Sequence, residues 1–162
     1  MFDKPLVSAA ADILDACRAA GLSLVTAESC TGGLIAGCLT AVPGSSDVMD
    51  RGFVTYSNQA KTDMLGVPAD LINAEGAVSE AVVRAMAEGA LSRSSATLSV
   101  AVTGIAGPGG GSQSKPVGLV HVAAARLGGE VLHQRRVFGG DRDAVRLAAV
   151  AAALALVKRL LD

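Results

Sequence analysis

Ser29, Cys30 and Thr31 stand in a row ahead of two glycines in the stretch TAESCTGGLIAG (26–37), and an apolar run of helical character follows. One hydroxyl is enough to cap a helix, so the cluster has three readings: a cap, a cradle for an anion, or a nucleophile. As a cap, Ser29 would satisfy free N–H groups of a helix starting near Thr31. The same arrangement supplies an oxyanion site, because the N–H groups of Thr31, Gly32 and Gly33 and the positive helix end favour negative charge. A nucleophile one turn ahead of such donors is what acyl transfer requires. Glu28 either orients a base or the substrate, or is an exposed loop charge.

A serine nucleophile needs a base. The only two histidines, His121 and His133, fall in the middle of strand-like segments, and Cys17, Cys30 and Cys38 are scattered. Neither set is spaced as metal ligands, so no metal site and no Ser-His-Asp triad is expected. Each histidine reads as a solvent-facing or core strand residue. Lysine can take the base role where burial or a neighbouring cation lowers its amine from about 10.4 toward neutrality. Lys61 closes the segment TYSNQAK (55–61), which also carries Tyr56, the single tyrosine of the chain. A phenol can relay a proton or donate a hydrogen bond. The plainer readings are a solvated helix lysine and an ordinary strand aromatic.

A third polar segment is GIAGPGGGSQSK (104–115). It is no Walker A loop, because Gly110 stands where the lysine belongs, and no GxGxxG fingerprint, because Ser112 occupies the last place. What remains around Thr103, Gly104, Gly107, Gly109 and Gly110 is a run of backbone N–H groups open to close approach, a nest for phosphate or carboxylate. The alternative is a flexible surface loop.

The elements that must position these groups follow from periodicity and punctuation. Helices are expected over 4–20, 31–42, 58–65, 79–94 (with Ser79 as its cap) and 142–161 behind Asp141. Strands are expected over 22–26, 51–57 and 97–104, then as a hairpin around Gly128-Gly129. Helices between strands imply parallel pairing, and the hairpin demands an antiparallel neighbour. The expected fold is a three-layer α/β/α sandwich with a mixed, mainly parallel sheet, in one domain spanning 1–162. Sites in open sheets of this kind lie at the carboxyl ends of the strands, so loops 27–31, 56–61 and 103–115 should converge.

Composition limits the partners. The 162 residues carry 14 basic and 15 acidic side chains, a formal charge of −1, with no long run of one sign. Nucleic acid is therefore not an expected partner, since phosphate backbones require a concentrated basic face. Asp3, Asp12, Asp15 and Arg18 interrupt the N-terminal apolar stretch, unlike a signal peptide, and LAAVAAALALV (147–157) is too short to cross a bilayer. No membrane partner is expected. Three unpaired cysteines suit a reducing compartment, the cytoplasm.

The blocks TAESCTGGLIAGCLTAVPGSSDV, GFVTYSNQAKTDMLGV, GAVSE and TGIAGPGGGSQSKPVGLV, in this order, resemble the C-terminal domain family of the competence/damage-inducible protein CinA over nearly the whole chain. Larger members carry an additional nucleotide-processing domain, so the chain resembles the stand-alone form, a nicotinamide-nucleotide amidase. The resemblance implies hydrolysis of the carboxamide of nicotinamide mononucleotide to nicotinate mononucleotide and ammonia, in pyridine-nucleotide recycling. It also implies the three-layer fold, a homodimer or higher homo-oligomer, and no cofactor. The family's active-site serine, tyrosine and lysine fall on Ser29, Tyr56 and Lys61. Ser29 is then expected to attack the amide carbon, Lys61 to take its proton, and Tyr56 to assist proton transfer to ammonia. The Gly104–Gly111 loop, with Arg142 or Arg146, would bind phosphate or ribose. Two alternatives stay open: an amidase with Cys30 as nucleophile and Glu28 and Lys61 around it, and a non-catalytic module that binds a nucleotide or a partner.

Overall fold

The computed structural model describes all 162 residues, Met1 to Asp162. Helix α1 (Lys4–Ala20) starts where the Asp3 carboxylate accepts from the Leu6 N–H at 3.0 Å, and ends at Gly21, whose φ of 65° closes the last turn. Ala10, Ile13, Leu14 and Cys17 recur at helical spacing and are buried. Strand β1 (Leu24–Glu28) is buried throughout, and a short helix α2 (Leu34–Thr40) leads to β2 (Met49–Val54). Three helices follow, α3 (Asn58–Leu65), α4 (Ala69–Glu75) and α5 (Glu80–Ser92). Strand β3 (Leu98–Gly104), the hairpin β4 (Leu119–Arg126) and β5 (Val131–Val137), and the long helix α6 (Arg142–Leu161) complete the chain.

The sheet order is β2-β1-β3-β4-β5. β1 pairs in parallel with β2 and β3, while β4 runs antiparallel to both β3 and β5. The sheet is mixed, with helices on both faces. Strand alternation divides the core: Leu24, Val100, Val102, Val120 and Val122 pack with α1, α2 and α6. Val25, Ala27, Ala101, Ala123 and Ala125 pack with α3, α4 and α5. The chain leaves β1 over one face through α2 and leaves β2 over the other through α3–α5. A crevice therefore opens outside the carboxyl ends of β1 and β3. No helix is long and apolar enough to cross a membrane.

Three local expectations are corrected. The helix expected over 31–42 begins only at Leu34, because Gly32 and Gly33, at φ of 59° and 99°, turn the chain first. The strand expected over 51–57 ends at Val54, which releases Thr55, Tyr56 and Ser57 into a loop whose Ser57 caps α3. Helix α4 was not expected; it is short, begins after Pro68 and buries only Ile72.

The hairpin register brings together the two histidines that are twelve residues apart in sequence: His121 Nδ1 and His133 Nε2 lie 2.9 Å from each other, with the rings stacked. Burial pushes the buried His121 down to about 4, helped by the charges of His133, Arg135 and Lys115 and opposed by Glu80. Burial lowers His133 as well, against Glu80 and with Arg84. The unfolded chain therefore takes up protons below about 6.5 that the folded chain refuses. Stability is full above that pH and falls as the pH drops toward 4. A melting temperature that decreases over this interval, with a shallower decrease in His121→Leu, is expected. An identical slope in the variant would remove the pair from the account.

Candidate active site

Alternation along β1 decides the geometry at its end. Leu24 belongs to the α2 side of the sheet, so Glu28, four residues on, faces the same way. Ser29 falls on the opposite side, toward α3. The Ser29 N–H is anchored to the Val102 carbonyl of β3 at 3.0 Å. Its hydroxyl meets Lys61 of α3, with Nζ 3.1 Å from Oγ.

Lys61 is 1 % exposed, the largest fully buried side chain of the molecule. Its other partners are the carbonyls of Thr55 at 2.9 Å and Tyr56 at 3.5 Å. No carboxylate pairs with it. Burial lowers its amine below the ordinary lysine value, against a smaller opposing effect of Cys30. A neutral amine has two N–H groups and one lone pair. In that form the two carbonyls take the two N–H groups and the lone pair faces the Ser29 hydroxyl; in the protonated form the third N–H donates to Ser29 Oγ instead. The neutral form is the arrangement of a nucleophile and its base.

Glu28 is neither an exposed loop charge nor in contact with Lys61. Its Oε2 accepts from Thr31 Oγ1 at 2.6 Å, Gly33 N at 3.1 Å and Ile35 N at 3.0 Å, and its Oε1 accepts from Ala36 N at 2.8 Å. Glu28, not Ser29, therefore caps α2. The expected set of three oxyanion donors shrinks for the same reason. The Gly33 N–H goes to Glu28 and the Gly32 N–H to the Ser29 carbonyl at 3.0 Å; the Thr31 N–H has no acceptor within the chain, but Thr31 is fully buried and, like Gly32 and Gly33, does not line the cleft in front of Ser29.

A cleft of about 290 Å³ lies in front of these groups. Ser29, Cys30, Tyr56 and Lys61 line it, as do Thr103, Gly104, Gly107, Gly109 and Gly110 of the loop after β3. The N–H groups of Gly107, Gly109 and Gly110 have no partner within the chain, so the loop can receive an anion. Gly104 is fixed by space: a Cβ there would sit 2.9 Å from the Leu119 carbonyl oxygen and 3.1 Å from Cys30 Sγ. Arg142, the first residue of α6, reaches the mouth and donates to the Gly107 carbonyl at 2.8 Å and to the Tyr56 hydroxyl at 2.9 Å. With Lys61 neutral, Arg142 is the charged side chain of the lining, and no carboxylate belongs to it, which suits an anionic ligand.

Other expected residues take different places. Arg146, one turn along α6, does not line the cleft; it donates to the carbonyls of Cys30 at 3.1 Å and Thr31 at 3.2 Å and holds the turn from behind. Burial pushes the Cys30 thiol up to about 11, so it is a poor nucleophile at neutral pH. Tyr56 is 60 % exposed, and its hydroxyl engages Arg142. Asn58, Ala77, Val78, Ile105 and Ala106 complete the wall and were not singled out in the sequence. Thr103 fixes that wall by donating from Oγ1 to the Ala77 carbonyl at 2.9 Å. No group of three His, Cys, Asp or Glu side chains is gathered to hold a metal. A larger groove of about 610 Å³ between α1 and α6 is mostly apolar and carries no such nucleophile and base.

The family profile described as CinA C-terminal domain matches residues 6–161. The chain is 49 % identical over 154 residues to nicotinamide-nucleotide amidohydrolase PncC of Escherichia coli (strain K12), which covers 95 % of this chain and 93 % of that protein. It is 52 % identical over 140 residues to a CinA-like protein of Anaeromyxobacter sp. (strain K), which covers 86 % of this chain but only 34 % of that protein. The chain thus spans about a third of the longer relatives. The crystal structure of competence/damage inducible protein CihA from Agrobacterium tumefaciens superposes with a TM-score of 0.98 at 52 % identity, covering 100 % of this chain and 99 % of that one.

Proposed function

Because the chain belongs to the CinA C-terminal domain family, we propose that it hydrolyses the carboxamide of nicotinamide mononucleotide, releasing ammonia and nicotinate mononucleotide. The observation that carries the reading is the buried Lys61 amine 3.1 Å from Ser29 Oγ, with only neutral carbonyls as its other partners. The nicotinamide-nucleotide amidohydrolase activity of the PncC relative, aligned over 95 % of this chain, supplies the substrate.

Ser29 Oγ attacks the amide carbon and its proton passes to Lys61 Nζ. The N–H of Cys30, a residue that lines the cleft and whose N–H has no acceptor within the chain, stabilises the oxyanion of the tetrahedral intermediate. Lys61 returns the proton to the amide nitrogen, the C–N bond breaks and ammonia leaves an acyl ester on Ser29. Water, deprotonated by the same amine, then attacks that ester and frees the Ser29 hydroxyl. Tyr56 and Arg142 hold the substrate at the mouth, and the N–H groups of Gly107, Gly109 and Gly110 receive its phosphate. No cofactor enters the scheme. The family reading carries with it a homo-oligomer, a cytoplasmic location and a place in pyridine-nucleotide recycling.

The test is ammonia release by purified protein. Nicotinamide mononucleotide should be turned over, and free nicotinamide at least about a hundredfold less well in kcat/KM, since only the phosphorylated compound uses the loop and Arg142. Equal turnover of both would remove the loop from substrate binding, and no turnover of either would sink the amidase reading.

A further inference from the structure

The 29–33 turn contains two glycines in the left-handed region and lies between β1 and a helix of only seven residues. The residue at the helix start, Gly33, has no side chain with which to cap it. Glu28 fills that role from inside the turn. It is 0 % exposed, it lines no part of the cleft, and its two oxygens receive four donors from Thr31, Gly33, Ile35 and Ala36. Four donors and no acceptor are what a carboxylate, rather than an amide, satisfies. Arg146 grips the carbonyls of Cys30 and Thr31 of the same turn. The turn is thus pinned through its donors by Glu28 and through its carbonyls by Arg146.

We propose that Glu28 is a positioning residue for the reaction: a buried strut that fixes Ser29 Oγ against Lys61 without touching the substrate. This rests on the Ser29–Lys61 reading of the site and adds to it a residue that acts only through the turn. A misplacement of about 1 Å can cost roughly a hundredfold in rate, so the strut should be visible in kcat and not in KM.

The experiment uses the full chain with Glu28→Gln, Glu28→Asp and Thr31→Val. The glutamine keeps the side-chain length but sets an amide N–H₂ against one of the donors; the aspartate keeps the charge but falls short of α2. Thr31→Val removes a single bond to Glu28 and secures an answer if the Glu28 variants do not fold. Two readouts are taken beside the melting temperature: kcat and KM for nicotinamide mononucleotide, and the rate at which a fluorophosphonate labels Ser29. Labelling reports the nucleophile's alignment whatever the natural substrate is, so it separates failure of this inference from failure of the substrate assignment. Expected is a drop of about 10- to 100-fold in kcat for both Glu28 variants, with KM within about threefold, an unmoved acid limb of the pH profile, and slower labelling in proportion. Thr31→Val should show a smaller loss of the same kind. A raised KM at unchanged kcat would make Glu28 a substrate contact and overturn the inference. Wild-type kcat and labelling in folded variants of lowered melting temperature would reduce Glu28 to a helix cap and overturn it equally.

Discussion

Ser29→Ala is expected to give a folded protein whose kcat with nicotinamide mononucleotide is lower by roughly 10⁴- to 10⁶-fold, the range seen when a hydrolase loses a nucleophile that works as a unit with its base. Stability should hardly change. A serine that capped a helix would cost about 1 kcal/mol on removal, but Glu28 provides the cap here and Ser29 provides none. Cys30→Ala is the companion measurement. With its thiol pushed up to about 11, only about one Cys30 in ten thousand is ionised at pH 7, so the variant should keep substantial activity. Steady-state ammonia release and melting curves on both proteins decide the matter. An active Ser29→Ala beside a dead Cys30→Ala would transfer the nucleophile to the thiol.

Lys61→Ala should match Ser29→Ala in its loss of kcat, and Lys61→Arg should not restore it. A guanidinium stays protonated at any working pH and has no lone pair to accept the serine proton. Lys61→Met fills the buried site with a side chain of similar length and serves as the folded control. The wild-type pH profile carries a second signature. Burial lowers the Lys61 amine, and only the neutral form accepts a proton, so kcat/KM should rise with pH through the lysine's lowered value and level off above it. In Lys61→Met the residual rate should lose that limb. An active Lys61→Arg, or a limb that survives in Lys61→Met, would remove lysine from the base role.

Much of the frame was readable from local rules. Helix α3 spans the expected 58–65, and Asp141 and Ser79 cap α6 and α5 as read, because each boundary is set by one side chain and its nearest N–H groups. Helix α2 was misplaced because its cap comes from the end of a strand, five residues before the glycine at its start; no local rule looks that far back. The oxyanion donors were overcounted for the same reason, since Gly32 and Gly33 spend their N–H groups inside the turn. The chemistry of Lys61 was a matter of residue type, but its burial depends on how α3 docks, which periodicity alone does not give. Arg146 read as a substrate ligand because it sits near the start of α6, yet its partners are carbonyls of the β1–α2 turn. The histidine pair needed the hairpin register. The substrate came from family resemblance, since no motif in the chain specifies a pyridine ring.

The two bonds from Arg146 to the 29–33 turn also bear on how the chain folds. They join residues 116 and 115 positions apart, the widest separations of any side-chain hydrogen bond in the molecule. The Arg142–Tyr56 bond across the cleft mouth follows at 86. Contacts of long sequence separation carry the largest loop-closure cost and slow the route to the native state. Helices α1 and α3 and the β4–β5 hairpin can form from neighbours, but the serine turn receives its outer clamp only when α6 docks. A chain emerging from the ribosome thus carries Ser29 and its turn for more than a hundred residues of synthesis before the helix that clamps them exists.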